Sequence, residues 1–165
     1  MKKKTPKASG KKKQSGREKV LIAASFIVFV GVLAVLFYFL NIKTGGFEAT
    51  KDELCIGKAL LVRLYTSSTC SSCSMSSKIF QNAAEEFMKD GKIDAAQWNL
   101  DTGDNLLTPE VEKGVPKNEV ALFKKYSRDM LVPATIIGCR YKKIGALNSE
   151  DEETLKSIIK EVLGE

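Results

Sequence analysis

Ala59-Leu60-Leu61-Val62-Arg63-Leu64-Tyr65-Thr66-Ser67-Ser68-Thr69-Cys70-Ser71-Ser72-Cys73 is the stretch that decides the fold. Its first seven residues are a short apolar run suited to a central strand, and Thr66 to Thr69 turns the chain. From Cys70 on, Cys73, Ser76, Ile79, Phe80, Ala83, Ala84, Phe87 and Met88 recur at three- and four-residue spacing. That is one face of a helix, predicted to run from Cys70 to a stop at Asp90-Gly91.

Downstream the two periods keep alternating. Ile93 to Leu100 predicts a second strand, with the lone Trp98 as a core residue. Asp101 to Lys117 is a polar loop. Its Asp-Thr-Gly-Asp-Asn lacks the alternating acidic positions and terminal Glu of a calcium loop. Asn118 is placed to cap a short helix ending at Tyr126. Pro133 opens a third strand over Ala134 to Gly138, and a fourth returns over Arg140 to Ile144. Ser149-Glu150-Asp151-Glu152 fits a capping box, starting a helix with an apolar stripe of Leu155, Ile158, Ile159 and Val162. The expected class is α/β, with one domain over residues 54–165.

A Cys-x-x-Cys where a strand feeds a helix has a chemical use. The first thiol lies near the unpaired amides and positive dipole end of the helix, which favour the thiolate, the nucleophile of disulfide exchange. Cys70 is thus the expected attacking thiol, and Cys73, close to one turn on, the resolving one. Ser71 and Ser72 between them are small and neutral. Two other uses compete: half of a zinc site, and a buried structural disulfide. Zinc needs four ligands, whereas the chain has no His and its only other cysteines are the distant Cys55 and Cys139.

The element order, Cys70-Ser71-Ser72-Cys73 at the first helix and Val132-Pro133-Ala134-Thr135 at the third strand together resemble the thioredoxin superfamily, over roughly residues 54–163. The resemblance implies a mixed four-stranded sheet flanked by helices. It also implies that Pro133 is cis and lies beside the thiols, with Val132 offering its backbone to a substrate chain. Leu64 stands where thioredoxin itself has a buried Asp, Ser-Ser replaces Gly-Pro, and Lys78 replaces a helix-kinking proline. These departures suit a specialised relative. In that fold the first and third strands are antiparallel neighbours, so Cys139, six residues and about 20 Å past Pro133, falls with Cys55 at the pole opposite Cys70. An oxidising compartment would let the two join as a structural disulfide; the alternative is two separate buried thiols. The 101–117 loop leaves the strand edge that presents Cys70, either shaping a substrate groove or standing as a solvated insertion.

Upstream, Val20 to Leu40 holds no charge and only Ser25 and Tyr38 as polar members. At about 1.5 Å per residue it spans roughly 30 Å, predicting a transmembrane helix. A cleaved signal peptide would have a shorter apolar core, and Asn41-Ile42-Lys43-Thr44 offers no small-residue cleavage site. A buried helix of a soluble domain would lack partners on every side. Residues 1–19, expected to be a disordered tail, carry eight Lys and Arg17 against Glu18, leaving the rest of the chain at −2 within a total of +6. Positive flanks stay in the cytoplasm, so the domain is expected outside it, joined through residues 41–53 with Thr44-Gly45-Gly46 as a flexible linker. A mildly acidic domain has no basic face for tracking phosphates, which argues against nucleic acid.

The expected function is thiol–disulfide exchange with proteins outside the cytoplasm, catalysed by Cys70 and Cys73 and helped by Val132 and Pro133. It needs a redox partner protein but no metal or other cofactor. The contrasting expectation is a non-catalytic binding or assembly module held at the membrane.

Overall fold

The computed structural model describes residue 31 and residues 46–165, Ile56 excepted. Residues 45–165 form a unit with its own core. Its elements are β1 (Glu48–Ala49), β2 (Leu60–Thr66), α1 (Cys73–Lys89), β3 (Ile93–Asn99), β4 (Asp104–Asn105), α2 (Lys117–Tyr126), β5 (Ala134–Ile137), β6 (Tyr141–Ile144) and α3 (Ser149–Leu163).

β2 lies inside the sheet with both its faces buried, one lined by Leu60, Val62 and Leu64 and the other by Tyr65 beside the ion-paired Arg63. Leu60, Val62 and Leu64 pack with Phe80, Phe87, Leu155 and Ile159 beneath α1 and α3. On the other face, Tyr65 joins Ala96, Trp98, Phe123 and Ile136 under α2. β2 runs parallel to β3, with Leu60 opposite Ile93, and antiparallel to β5, with Val62 opposite Ile137. A Leu or Phe that is fully buried in this way stabilises the fold by about 1.5–3 kcal/mol.

The four-stranded thioredoxin arrangement is corrected here: the sheet has six strands in the order β1-β6-β5-β2-β3-β4. The extra pair are two-residue edge strands. Glu48 pairs with Lys142 and Ala49 with Tyr141 on one side, while Asp104 pairs with Asn99 and Asn105 with Trp98 on the other. Backbone pairing holds them to the sheet, and two polar or small residues carry no period-two apolar signal. The other half of that expectation, a membrane helix over residues 20–40, lies outside the described residues apart from Gly31. Among the described residues no helix is long and apolar enough to cross a membrane.

Element ends also shift. α1 begins at Cys73 rather than Cys70, with Ser72 at its N-cap and no side-chain cap bond. α2 takes Pro116 rather than Asn118 as its N-cap. The capping box of α3 is one residue earlier than Ser149 suggested. Asn148 Oδ1 accepts from the amides of Glu150 and Asp151, and Asp151 Oδ2 accepts from the Asn148 amide. Asn and Asp perform the same exchange as Ser and Glu, and Asn148 has the extended backbone that a cap requires.

The 101–117 segment is folded on itself. Glu112 accepts from the Asn105 amide and the Thr108 hydroxyl, and its own amide donates to Asp104 Oδ1. Gly103, at φ +75°, lies so close to Gly114 that a Cβ would come within 2.4 Å of the Gly114 Cα. Backbone cannot yield as a side chain can, and the left-handed conformation adds its own cost. Gly103→Ala is expected to destabilise the fold by about 3 kcal/mol, measured by urea denaturation.

Candidate active site

β2 ends at Thr66, and the chain must then climb from the sheet edge to the start of α1. It does so through two consecutive turns: the Cys70 amide donates to the Ser67 carbonyl at 3.2 Å, and the Cys73 amide to the Cys70 carbonyl at 3.2 Å. Cys70 therefore stands in a turn just ahead of the helix, not within it. Cys73 is the first helical residue, with its side chain on the buried face.

Cys70 and Cys73 are joined as a disulfide with Cα atoms 5.4 Å apart. The two sulfurs are inequivalent. Cys70 is half-buried, whereas Cys73 is 3% exposed, so an incoming group reaches Cys70 first. Cys70 Sγ is 3.5 Å from Ser72 Oγ and 3.9 Å from the Val132 carbonyl oxygen. Val132 and Pro133 are joined by a cis peptide, and the Pro133 carbonyl accepts from the Gly145 amide at 2.8 Å. The sequence-expected residues Cys70, Cys73, Val132 and Pro133 thus meet at one end of the sheet. The N–H groups of α1's first turn, which precede any intrahelical partner, face the same end and favour negative charge on sulfur.

Cys55 and Cys139 are joined separately, with Cα atoms 5.3 Å apart. Cys139 is 1% exposed and follows Gly138 in the tight β5–β6 turn. Its carbonyl accepts from the Tyr126 and Thr50 hydroxyls, and the Cys55 amide donates to the Gly138 carbonyl. The segment before β2 is thereby fixed to the sheet covalently and by hydrogen bonds. Among the described residues no cysteine is free, and no group of three or more His, Cys, Asp or Glu is placed to hold a metal ion.

Several features around the thiols were not anticipated. Asp101, just beyond β3, reaches across to the turn that carries Cys70. Its Oδ2 accepts from the Ser67 hydroxyl and the Ser68 amide, each at 2.7 Å. These donors, the Ser67 hydroxyl foremost, hold the Asp101 carboxyl below its ordinary pKa of 3.8. Asn99 Nδ2 donates to Ser68 Oγ at 3.0 Å from the same side. The available signal was chemical: four consecutive hydroxyl residues, Thr66 to Thr69, have to find acceptors, and Asn99 and Asp101 leave the neighbouring parallel strand at the same end. Large apolar side chains are also exposed at Met75, two residues past Cys73, and at Met130 and Leu131, just before Val132. A groove of about 680 Å³ is bordered by Leu131, Ile144, Lys125 and Glu48 but includes neither Cys70 nor Cys73.

No protein-family model and no curated protein matches the chain. A solved structure described as that of a malarial protein is similar to it at 20% identity, covering 61% of this chain and 96% of its own, with a TM-score of 0.40.

Proposed function

We propose that the protein is a thiol–disulfide oxidoreductase acting on protein thiols and disulfides outside the cytoplasm. The observation that carries the reading is the inequivalent pair, accessible Cys70 bonded to buried Cys73, with Cys70 Sγ 3.9 Å from the Val132 carbonyl. A purely structural bridge gains nothing from leaving one sulfur reachable in a turn at a helix start.

In the reducing direction the Cys70 thiolate attacks one sulfur of a substrate disulfide, forming a Cys70–substrate bond and expelling the other substrate sulfur as a thiolate. The Cys73 thiolate then attacks Cys70 Sγ, forming Cys70–Cys73 and releasing the second substrate thiolate. Two electrons pass from protein to substrate, and solvent supplies the protons. Oxidation is the same sequence reversed, and a redox partner protein restores the starting state. The buried position of Cys73 suits it to the intramolecular step, which releases a substrate otherwise left covalently bound to Cys70.

Exposed Met75, Met130 and Leu131 support a polypeptide substrate with apolar segments over a small molecule. Val132, half-buried beside Cys70, has a backbone available to an extended chain. The two bridges suit an oxidising compartment, and the basic flank of the apolar run 20–40 supports the same placement from sequence. The test is turnover by the full-length protein in detergent: reduction of insulin with dithiothreitol as electron donor, and oxidative refolding of a reduced test protein. Catalysis in at least one assay is expected. Inactivity in both, with the Cys70–Cys73 pair reduced and reoxidised normally, would leave the reading without support.

A further inference from the structure

We infer that Asp101 is a positioning residue for the cysteine pair, clamping the turn that carries Cys70 so that its sulfur stays opposite Cys73 when the disulfide is open. The inference rests on the exchange reaction proposed above. Once the S–S bond breaks, α1 still fixes Cys73 as its first residue. Cys70 lies outside the helix and is tied to it through the hydrogen bond from the Cys73 amide to its carbonyl. It stands in a turn whose preceding residues, Ser68 and Thr69, are exposed.

What holds that turn is a set of hydrogen bonds converging on Asp101 and Asn99. Asp101 Oδ2 takes the Ser67 hydroxyl and the Ser68 amide at 2.7 Å each. Ser67 Oγ in turn accepts the Thr69 amide at 3.2 Å, and the Ser67 carbonyl accepts the Cys70 amide at 3.2 Å. One carboxylate is thus linked through Ser67 to the backbone of Cys70. Charge-assisted bonds of this kind are roughly twice as strong as neutral ones.

Asp101 is itself held in place. Its amide donates to Asn99 Oδ1 at 3.0 Å, and the Gly103 amide to the Asn99 carbonyl at 2.8 Å. The abutting Gly103 and Gly114 close the loop behind it. The polar insertion after β3 is a brace reaching from one strand end to the next.

A clamped turn keeps the open thiols at high effective concentration, which favours closing the disulfide. Loosening it makes the couple more oxidising. The experiment equilibrates the full-length protein in detergent with a glutathione redox buffer and reads the Cys70–Cys73 state by alkylation and mass spectrometry. In this exchange two glutathione thiols are oxidised to one glutathione disulfide for each Cys70–Cys73 bond reduced.

Asp101→Ala is expected to lower the equilibrium constant for closure about tenfold, an upward shift of about 30 mV, with the melting temperature changed by only a few degrees. Asp101→Asn, which keeps one acceptor oxygen, should fall between Ala and wild type. Ser67→Ala leaves the Asp101 charge untouched but cuts the link, and should shift the constant in the same direction about threefold; it also decides the matter if Asp101→Ala fails to fold. Wild-type values for Ser67→Ala, with Asn and Ala equal at position 101, would assign the effect to charge alone and overturn the clamp. Wild-type values in all three variants overturn it outright. A wild-type pair that never equilibrates with glutathione removes the exchange reaction itself, and the clamp with it.

Discussion

Cys70→Ser is expected to abolish the proposed disulfide exchange, lowering turnover on the order of 10³-fold or more, while Cys73→Ser is expected to retain the first step and accumulate protein covalently linked to its substrate. A serine hydroxyl is not ionised near neutral pH and its oxygen cannot form the mixed disulfide, so the position reached by substrate becomes inert. With Cys73→Ser the Cys70 thiol still attacks, but no buried neighbour displaces the substrate. Nonreducing electrophoresis and mass spectrometry of the two variants incubated with an oxidised protein substrate check the pair of outcomes. The expected result is adduct with Cys73→Ser and none with Cys70→Ser. Adduct formed through Cys73 in the Cys70→Ser protein would reverse the assignment, which follows from Cys73 being 3% exposed and Cys70 half-buried.

The second large effect concerns the polar network beneath α2. Glu119, 5% exposed, accepts from Arg63 Nε at 2.9 Å and from the Tyr65 hydroxyl at 2.7 Å. Arg63 also pairs with Asp94 Oδ2 at 3.1 Å and donates to the Asp94 carbonyl. Glu119→Ala leaves a buried guanidinium with one carboxylate partner instead of two, and a buried hydroxyl with none. The expected loss is about 3 kcal/mol, on the scale of a broken buried ion pair, read as a fall of about 10 °C or more in melting temperature. The same network fixes a pH response. Burial first, and then the neighbouring Glu119 carboxylate, push the Tyr65 pKa well above its ordinary 10.0. Above pH 10 the unfolded chain sheds that proton while the folded protein keeps it. Stability from this group is therefore intact below pH 10 and declines as pH rises beyond it. Thermal melts of Tyr65→Phe should show a weaker decline over that range.

How far the sequence could be read depended on how many residues share a signal. β2, β3, α1 and α3 announced themselves because many side chains repeat one period, as Ile79, Phe80, Ala83, Ala84 and Phe87 do on α1. The cysteine pair was visible for the same local reason, two identical residues at fixed spacing beside a turn. The two-residue strands β1 and β4 were not visible, since Glu48-Ala49 and Asp104-Asn105 are held by backbone partners that are remote in sequence or across a loop. That is how a four-stranded expectation became a six-stranded sheet. The start of α1 slipped from Cys70 to Cys73 because Ser71 and Ser72 are as much at home in turns as at helix starts. In the sequence Asp101 stands out only as part of a polar loop, because its partners lie 34 and 33 residues away along the chain, at Ser67 and Ser68.

The Cys55–Cys139 bond has a mechanical consequence. A pull transmitted along the backbone from the amino-terminal side can peel away β1, but it is arrested at Cys55 and passed through sulfur into the β5–β6 hairpin. Load is thus shared between adjoining strands of the sheet, and β2 is spared from being unzipped from its end.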